Sequence, residues 1–254
     1  MSVLTIQNLA ATLRGGFCLT MDRWQADAGQ LHALVGCNGA GKSTLLRVIT
    51  GELAVTGTVQ LHGRELYDWP GDERARHLAL LPQSSELNFA FKAREVVALG
   101  LTPLTLGWRE AQREIRRVMS LTDCLELADR PYPRLSGGQQ QRVHLARVLL
   151  QLSQAEHPPA LLLDEPTSAQ DLGQQHRILS LAQALCAEQD YAVIAVLHDL
   201  NHALRYADCV SLMDQGRLID IDEPGTVITP ESIAHYWQYQ ARVATDQDGI
   251  RIIA

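Results

Sequence analysis

Apolar and polar positions divide the chain into three stretches. Residues 3 to 35 read as a β-rich entry. Val3 to Ile6 and Leu19 to Met21 are short strand segments, with turns marked by Gly15-Gly16 and Ala28-Gly29. Leu31-His32-Ala33-Leu34-Val35 reads as a buried strand, and Thr56 to Leu61 adds another before a turn at His62-Gly63. His77 to Gln83 reads as a further buried strand. Pro82 closes it and leaves Gln83 at the C-terminal edge, where open α/β sheets place ligand groups. From about residue 84 to 150 the pattern turns helical. Ala93 to Leu99 is one helix, Trp108 to Ser120 a second with Ile115, Val118 and Met119 among charges, and Asp123 to Leu127 a short third. After Ala160 strands and helices alternate again. Ala160 to Asp164, apolar up to its final aspartate, and Tyr191 to Leu197 read as parallel strands covered on both faces. The expected fold is an α/β core with an inserted α-helical subdomain.

Composition narrows the function. At 254 residues the chain is long enough for a full core in one or two domains. A net charge of −7 carries no basic footprint for nucleic acid. Five scattered cysteines without C-x-x-C pairs suggest reduced thiols rather than a disulfide framework or a zinc site. The N-terminus lacks the pattern of a signal peptide, and the longest apolar runs are too short to span a bilayer. A membrane role would therefore come through a partner.

The stretch Gly36-Cys37-Asn38-Gly39-Ala40-Gly41-Lys42-Ser43-Thr44 fits the phosphate-loop pattern G-x-x-x-x-G-K-[ST]. A strand precedes it, and a helix expected over Ser43 to Ile49 follows, stopped by Gly51. Glycines let the backbone curl into a nest of inward N–H groups, and the helix N-terminus adds partial positive charge there. Lys42 can reach the β- and γ-phosphates, and the Ser43 hydroxyl can ligate Mg²⁺. A glycine turn before a helix is the bland alternative.

Three further constellations follow. Ser136 and Gln139 form a capping box at the head of a helix expected over Gly137 to Leu150. With Gly137 and Gly138 this makes a second anion nest, although capping alone would also explain it. Leu161-Leu162-Leu163-Asp164-Glu165 is a hydrophobic strand ending in the usual second Mg²⁺ ligand, Asp164. Glu165 would then face the γ-phosphate, where it could orient or deprotonate water. His198 follows the buried strand as Gln83 does. A lone histidine at a strand end is more often structural, but its company here favours a γ-phosphate contact.

Together these residues resemble the ATP-binding cassette family, with Walker A at 36–44, the Q-loop at Gln83, the signature motif at 135–139, Walker B at 160–165, the D-loop at 168–171 and the switch histidine at His198. The resemblance implies a phosphate-loop ATPase core with an antiparallel β subdomain, a single domain over 3–240, and a short C-terminal extension over 241–254 packed on it. It implies ATP and Mg²⁺ as cofactors. Gly36, Cys37, Asn38, Gly39, Ala40, Gly41, Lys42, Ser43 and Thr44 would bind nucleotide, as would Ser136, Gly137, Gly138 and Gln139 of a second copy. Ser43, Gln83 and Asp164 would hold the metal. Glu165, His198 and Gln83 would act in catalysis. A homodimer would work with two transmembrane permease subunits at the cytoplasmic face of the inner membrane.

Within the family the chain is similar to ATPase subunits of importers for haem, siderophores and vitamin B12, and to those for haem most closely. That similarity rests on Ser85-Glu86-Leu87-Asn88-Phe89-Ala90-Phe91, on Leu121-Thr122-Asp123-Cys124-Leu125, and on the segment 151–159. It implies a periplasmic haem-binding protein as an indirect partner. The competing class is a soluble cassette protein acting on nucleic acid or ribosomes. Such proteins usually have two cassettes, coiled coils or basic surfaces, and nucleic acid is not expected as a partner here. Leu87 to Phe91 is either packing for the helical region or a groove floor for a permease helix. The chain departs from the family at Cys37, where many members carry proline, and at Gln170, where leucine is usual. No aromatic residue occupies 8–16 to stack on adenine, which leaves Phe17 as the candidate.

Overall fold

The computed structural model describes residues 1–13, 15–83, 89–168, 170–245 and 251–253. Strands β1 (Ser2–Thr12) and β2 (Cys18–Asp27) form a long antiparallel hairpin. They are followed by β3 (Leu31–Val35), α1 (Lys42–Ile49), β4 (Thr56–Leu61), β5 (Arg64–Glu65), α2 (Gly71–His77) and β6 (Leu78–Leu81). The helical region contributes α3 (Ala93–Ala98), α4 (Trp108–Leu121) and α5 (Gly137–Gln151). Next come β7 (Ala160–Asp164), α6 (Leu172–Gln189), β8 (Ala192–Val196), α7 (Leu200–Tyr206), β9 (Cys209–Asp214) and β10 (Arg217–Asp222). The chain closes with α8 (Pro224–Val227), α9 (Pro230–Tyr236), β11 (Val243–Thr245) and β12 (Arg251–Ile253).

One sheet runs β5-β4-β1-β2-β10-β9-β3-β8-β7-β6, and β11 pairs with β12 in a second. The β5-to-β2 side is antiparallel, whereas β9, β3, β8, β7 and β6 run parallel. Alternate residues of the parallel strands feed two separate cores. Leu161 and Leu163 pack with the helical region and α6, while Ala160 and Leu162 pack with α1 and the β1–β2 hairpin. Burial on both faces explains why these strands read as unbroken apolar runs. In α4 the buried residues Ala111, Ile115, Val118 and Met119 make a stripe at helical spacing.

Several boundaries differ from expectation. The β1–β2 strands are longer than the segments Val3–Ile6 and Leu19–Met21, because cross-strand pairing carries the ladder into polar positions out to Thr12↔Cys18. His77 is not a strand residue. It ends α2, with its Nδ1 2.8 Å from the Glu73 carbonyl oxygen one turn back. The expected helix at Asp123 shrinks to a 3₁₀ turn over Leu125–Leu127, since Asp123 sits at φ 52 and breaks the helical path. Of the stretch from Ser85 to Phe91, residues 85–88 lie outside the described residues.

The two sides of the sheet share a single β2–β10 pair, Arg217↔Thr20. A buried polar node reinforces that junction. Trp24 Nε1 of β2 donates to Ser211 Oγ of β9 at 3.0 Å, and His32 Nε2 of β3 lies 2.8 Å from the same hydroxyl. The indole can only donate, which leaves the hydroxyl proton for a neutral imidazole. Burial pushes the His32 pKa down to about 4. Burial, with nearby Arg147 adding to it, likewise pushes His144 down to about 4. Both rings therefore stay neutral in the fold, while the unfolded chain takes up protons below about pH 6.5. Stability should fall on acidification from pH 6.5 towards 4, by about 1.4 kcal/mol per pH unit for each histidine. Denaturant titrations across this range check it, and His32→Gln should reduce the slope.

Candidate functional site

The phosphate loop joins the end of β3 to α1. Gly36 sits at φ 143, and a Cβ there would lie 2.1 Å from the Met213 carbonyl oxygen of β9. Gly41, at φ 104, is the N-cap of α1, and the Phe17 ring lies 3.0 Å from where its Cβ would be. No side chain caps α1, so its first N–H groups are left for a ligand. Lys42 Nζ folds back and donates to the carbonyls of Gly36 (2.7 Å) and Cys37 (3.0 Å). Burial lowers the Lys42 pKa, opposed by the negative charge of Glu165 and Asp164. A buried ammonium whose hydrogen bonds go to two carbonyls is a ready partner for phosphate oxygens.

Strand β7 delivers Asp164 to the same edge. Ser43 Oγ donates to Asp164 Oδ1 at 3.0 Å. Burial raises the Asp164 pKa, against the lowering effect of that hydrogen bond and of Lys42. Glu165, the next residue, sits at φ 51, in the left-handed region. Its carboxylate is gripped from two sides. Gln83 Nε2 donates to Oε2 at 2.6 Å, and His198 Nε2 lies 2.6 Å from Oε1. Gln83, expected to act both in catalysis and at the metal, gives its amide to Glu165.

A cleft of about 340 Å³ opens between these groups, lined by Asn38, Gly39, Gly41 to Thr44, Glu165, His198, Leu13 and Phe17. Phe17 also borders a neighbouring hollow of about 420 Å³ with Gly16, Cys18, Thr20, Gln215 and Arg217. The β9–β10 turn brings it there, because Gly216 donates its N–H to the Ala40 carbonyl at 2.9 Å and accepts from Thr20 N–H at 2.8 Å. Leu13 and the Gln215–Arg217 turn were not foreseen. Their place depends on strand order, which no local pattern records.

Ser136 caps α5 as expected. Gln139 N–H donates to Ser136 Oγ at 3.3 Å, and Ser136 N–H to Gln139 Oε1 at 3.0 Å. None of residues 136–139 lines the cleft of its own chain. Cys37 points away from it, with Sγ donating to the Tyr236 carbonyl at the end of α9, 2.9 Å away. Phe89 and Phe91 are 67% and 39% exposed, with ring centroids 6.0 Å apart, so they do not pack into the core.

Residues 19–168 match the family model for the ABC transporter. The chain belongs to the ABC transporter family. It is 47% identical over 222 residues to the hemin import ATP-binding protein HmuV of Shewanella denitrificans, covering 87% of each chain. It is 49% identical over 216 residues to the protein of that name from Vibrio cholerae, covering 85% of this chain and 83% of that one. Among solved structures it resembles a dimeric ATP-binding cassette in a post-hydrolysis state bound to ADP and Pi, with TM-score 0.74, 25% identity, and coverage of 87% and 99%. An inward-facing putative metal-chelate type ABC transporter shares the fold at TM-score 0.81 and 23% identity, with coverage of 100% and 96%. The α/β ABC ATPase fold and ATP hydrolysis coupled to transport follow from this membership. Among the described residues no helix is long and apolar enough to cross a membrane.

The thiols should label in order of access. Cys18 is exposed and Cys37 half-buried, whereas burial pushes the Cys124 thiol up to about 11 and Cys186 to about 12. Mass spectrometry after brief alkylation should find Cys18 modified first, Cys37 later, and the two buried thiols unmodified.

Proposed function

We propose that this chain is the ATP-hydrolysing subunit of a haem importer, working as two copies on two permease subunits at the cytoplasmic face of the inner membrane. A periplasmic haem-binding protein would deliver the cargo. The observation that carries the ATPase role is the Glu165 carboxylate held between Gln83 and His198, beside the Ser43–Asp164 pair and the phosphate loop. The haem assignment is supported by the names of the relatives, which match most of the chain. The exposed Phe89–Phe91 pair suits a groove for a permease helix.

The triphosphate would take over the Lys42 ammonium from the Gly36 and Cys37 carbonyls, and would be met by the N–H groups of α1. Ser43 and Asp164 fit Mg²⁺, being hard oxygen ligands 3.0 Å apart, one of them a carboxyl whose burial favours a cationic neighbour. When bound, the ion would neutralise charge on the β- and γ-phosphates. Glu165 orients water and receives its proton, and Gln83 and His198 fix its two oxygens. Phe17 offers its face to adenine. Ser136 to Gln139 lie away from their own chain's cleft, as a second copy's nucleotide requires. ATP contacted by both copies favours the closed dimer, and hydrolysis removes that preference.

Glu165→Gln should bind ATP, dimerise on it and lose at least ~100-fold in turnover. Near wild-type phosphate release by this variant would sink the catalytic assignment. Phe17→Ala should weaken ATP binding by about tenfold while Phe17→Tyr retains it, as read by titration with a fluorescent analogue.

A further inference from the structure

Gln170 stands where the family usually has leucine, and its side chain is turned into its own chain. Nε2 donates to the Gly138 carbonyl at 3.0 Å and to Gln141 Oε1 at 2.9 Å, both on α5. Gln141, buried at 7% exposure, in turn donates Nε2 to the Glu165 carbonyl at 3.3 Å. On the opposite side Gln175 of α6 donates to the carbonyls of Thr167 (3.3 Å) and Gln170 (3.1 Å). Glu165, Thr167 and Gln170 are thus tied by amides to α5 and α6 together. A leucine at 170 could make neither bond to α5.

The bond to Gly138 matters because of where it lands. Gly137 and Gly138 have no side chains to pack, so capping and backbone bonds alone would hold that first turn. Gln170 adds a side-chain anchor to it. A second tie, Asp123, joins the same two helices further along. It accepts from Arg142 of α5 at 2.9 Å and from Gln174 and Arg177 of α6 at 3.0 and 2.9 Å. These donors hold the Asp123 carboxyl below its ordinary pKa, the Gln174 hydrogen bond being the largest cause. Of the two ties, the Gln170 one reaches the signature turn itself.

We infer that Gln170 is a positioning residue that locks the signature turn to the same chain's Glu165 segment. The carboxylate a chain uses at its own nucleotide and the turn it presents to a second copy then move as one body. This inference rests on the two-copy reading given above. It concerns contacts within one chain, and so predicts a defect in presenting the signature turn without a defect in the phosphate loop.

The test uses the full-length chain in the Glu165→Gln background, with Gln170→Leu and near-isosteric Gln170→Met as second substitutions. A fluorescent ATP analogue, titrated at concentrations where the chain is monomeric, should bind as tightly as to the parent. The ATP concentration that half-dimerises the chain, followed by light scattering, should rise about tenfold, the effect of losing two hydrogen bonds. Both variants dimerising at the parent's ATP concentration would overturn the inference. Equal losses of analogue binding and dimerisation would also overturn it, since they indicate a general loss of fold. A parent that never dimerises on ATP would instead refute the two-copy reading.

Discussion

The register of the parallel strands is the constraint on which the cleft depends. Leu34 of β3 and Asp164 of β7 both pair with Val196 of β8, and Leu81 of β6 pairs with Leu163. Just beyond these paired residues the chain delivers the phosphate loop after Val35, Glu165 after Asp164, His198 after Leu197 and Gln83 after Pro82. Four segments far apart in sequence thereby end side by side. A slip of one residue in any strand would turn its last side chain to the other face and dismantle the site. Burial on both faces resists such a slip, because alternate residues serve two different cores.

With the strands aligned, short-range bonds complete the geometry. The loop is shaped by close approach, for nothing larger than hydrogen fits at Gly36 against Met213. Glu165 is held in the left-handed region, at an ordinary cost of about 1–3 kcal/mol. That turn carries its carboxylate to Gln83 and His198 instead of along the strand direction. The same turn leaves its carbonyl accepting from Gln141 of α5, so one residue links that helix to the carboxylate in the cleft. Lys42 and Asp164 are both partly deprived of water, and their opposed shifts mark a site arranged to receive charge.

On the proposed two-copy reading, one chain supplies half of a nucleotide enclosure. Its cleft is walled by the phosphate loop, Glu165, His198 and Phe17, while its second glycine nest faces elsewhere. The Gln170 and Asp123 ties bind that nest to α6 and the Glu165 segment. The Cys37 thiol joins the phosphate loop to the end of α9 through its bond to the Tyr236 carbonyl.

The sequence by itself determined the α/β core, the helical insertion, the phosphate loop, the Asp164–Glu165 strand end and the capped glycine turn. Each is written in a local pattern: an apolar run, a glycine spacing, a capping pair. Helix α2 was missed because seven mostly polar residues carry no apolar stripe, and His77 was assigned to the wrong element. Only the tertiary structure decided which strand ends adjoin, that Gln83 and His198 grip opposite oxygens of Glu165, that Cys37 faces Tyr236, and that Phe17 reaches Gly41 through the β9–β10 turn. Those facts follow from strand order and side-chain direction across long sequence separations, to which no periodicity along the chain refers.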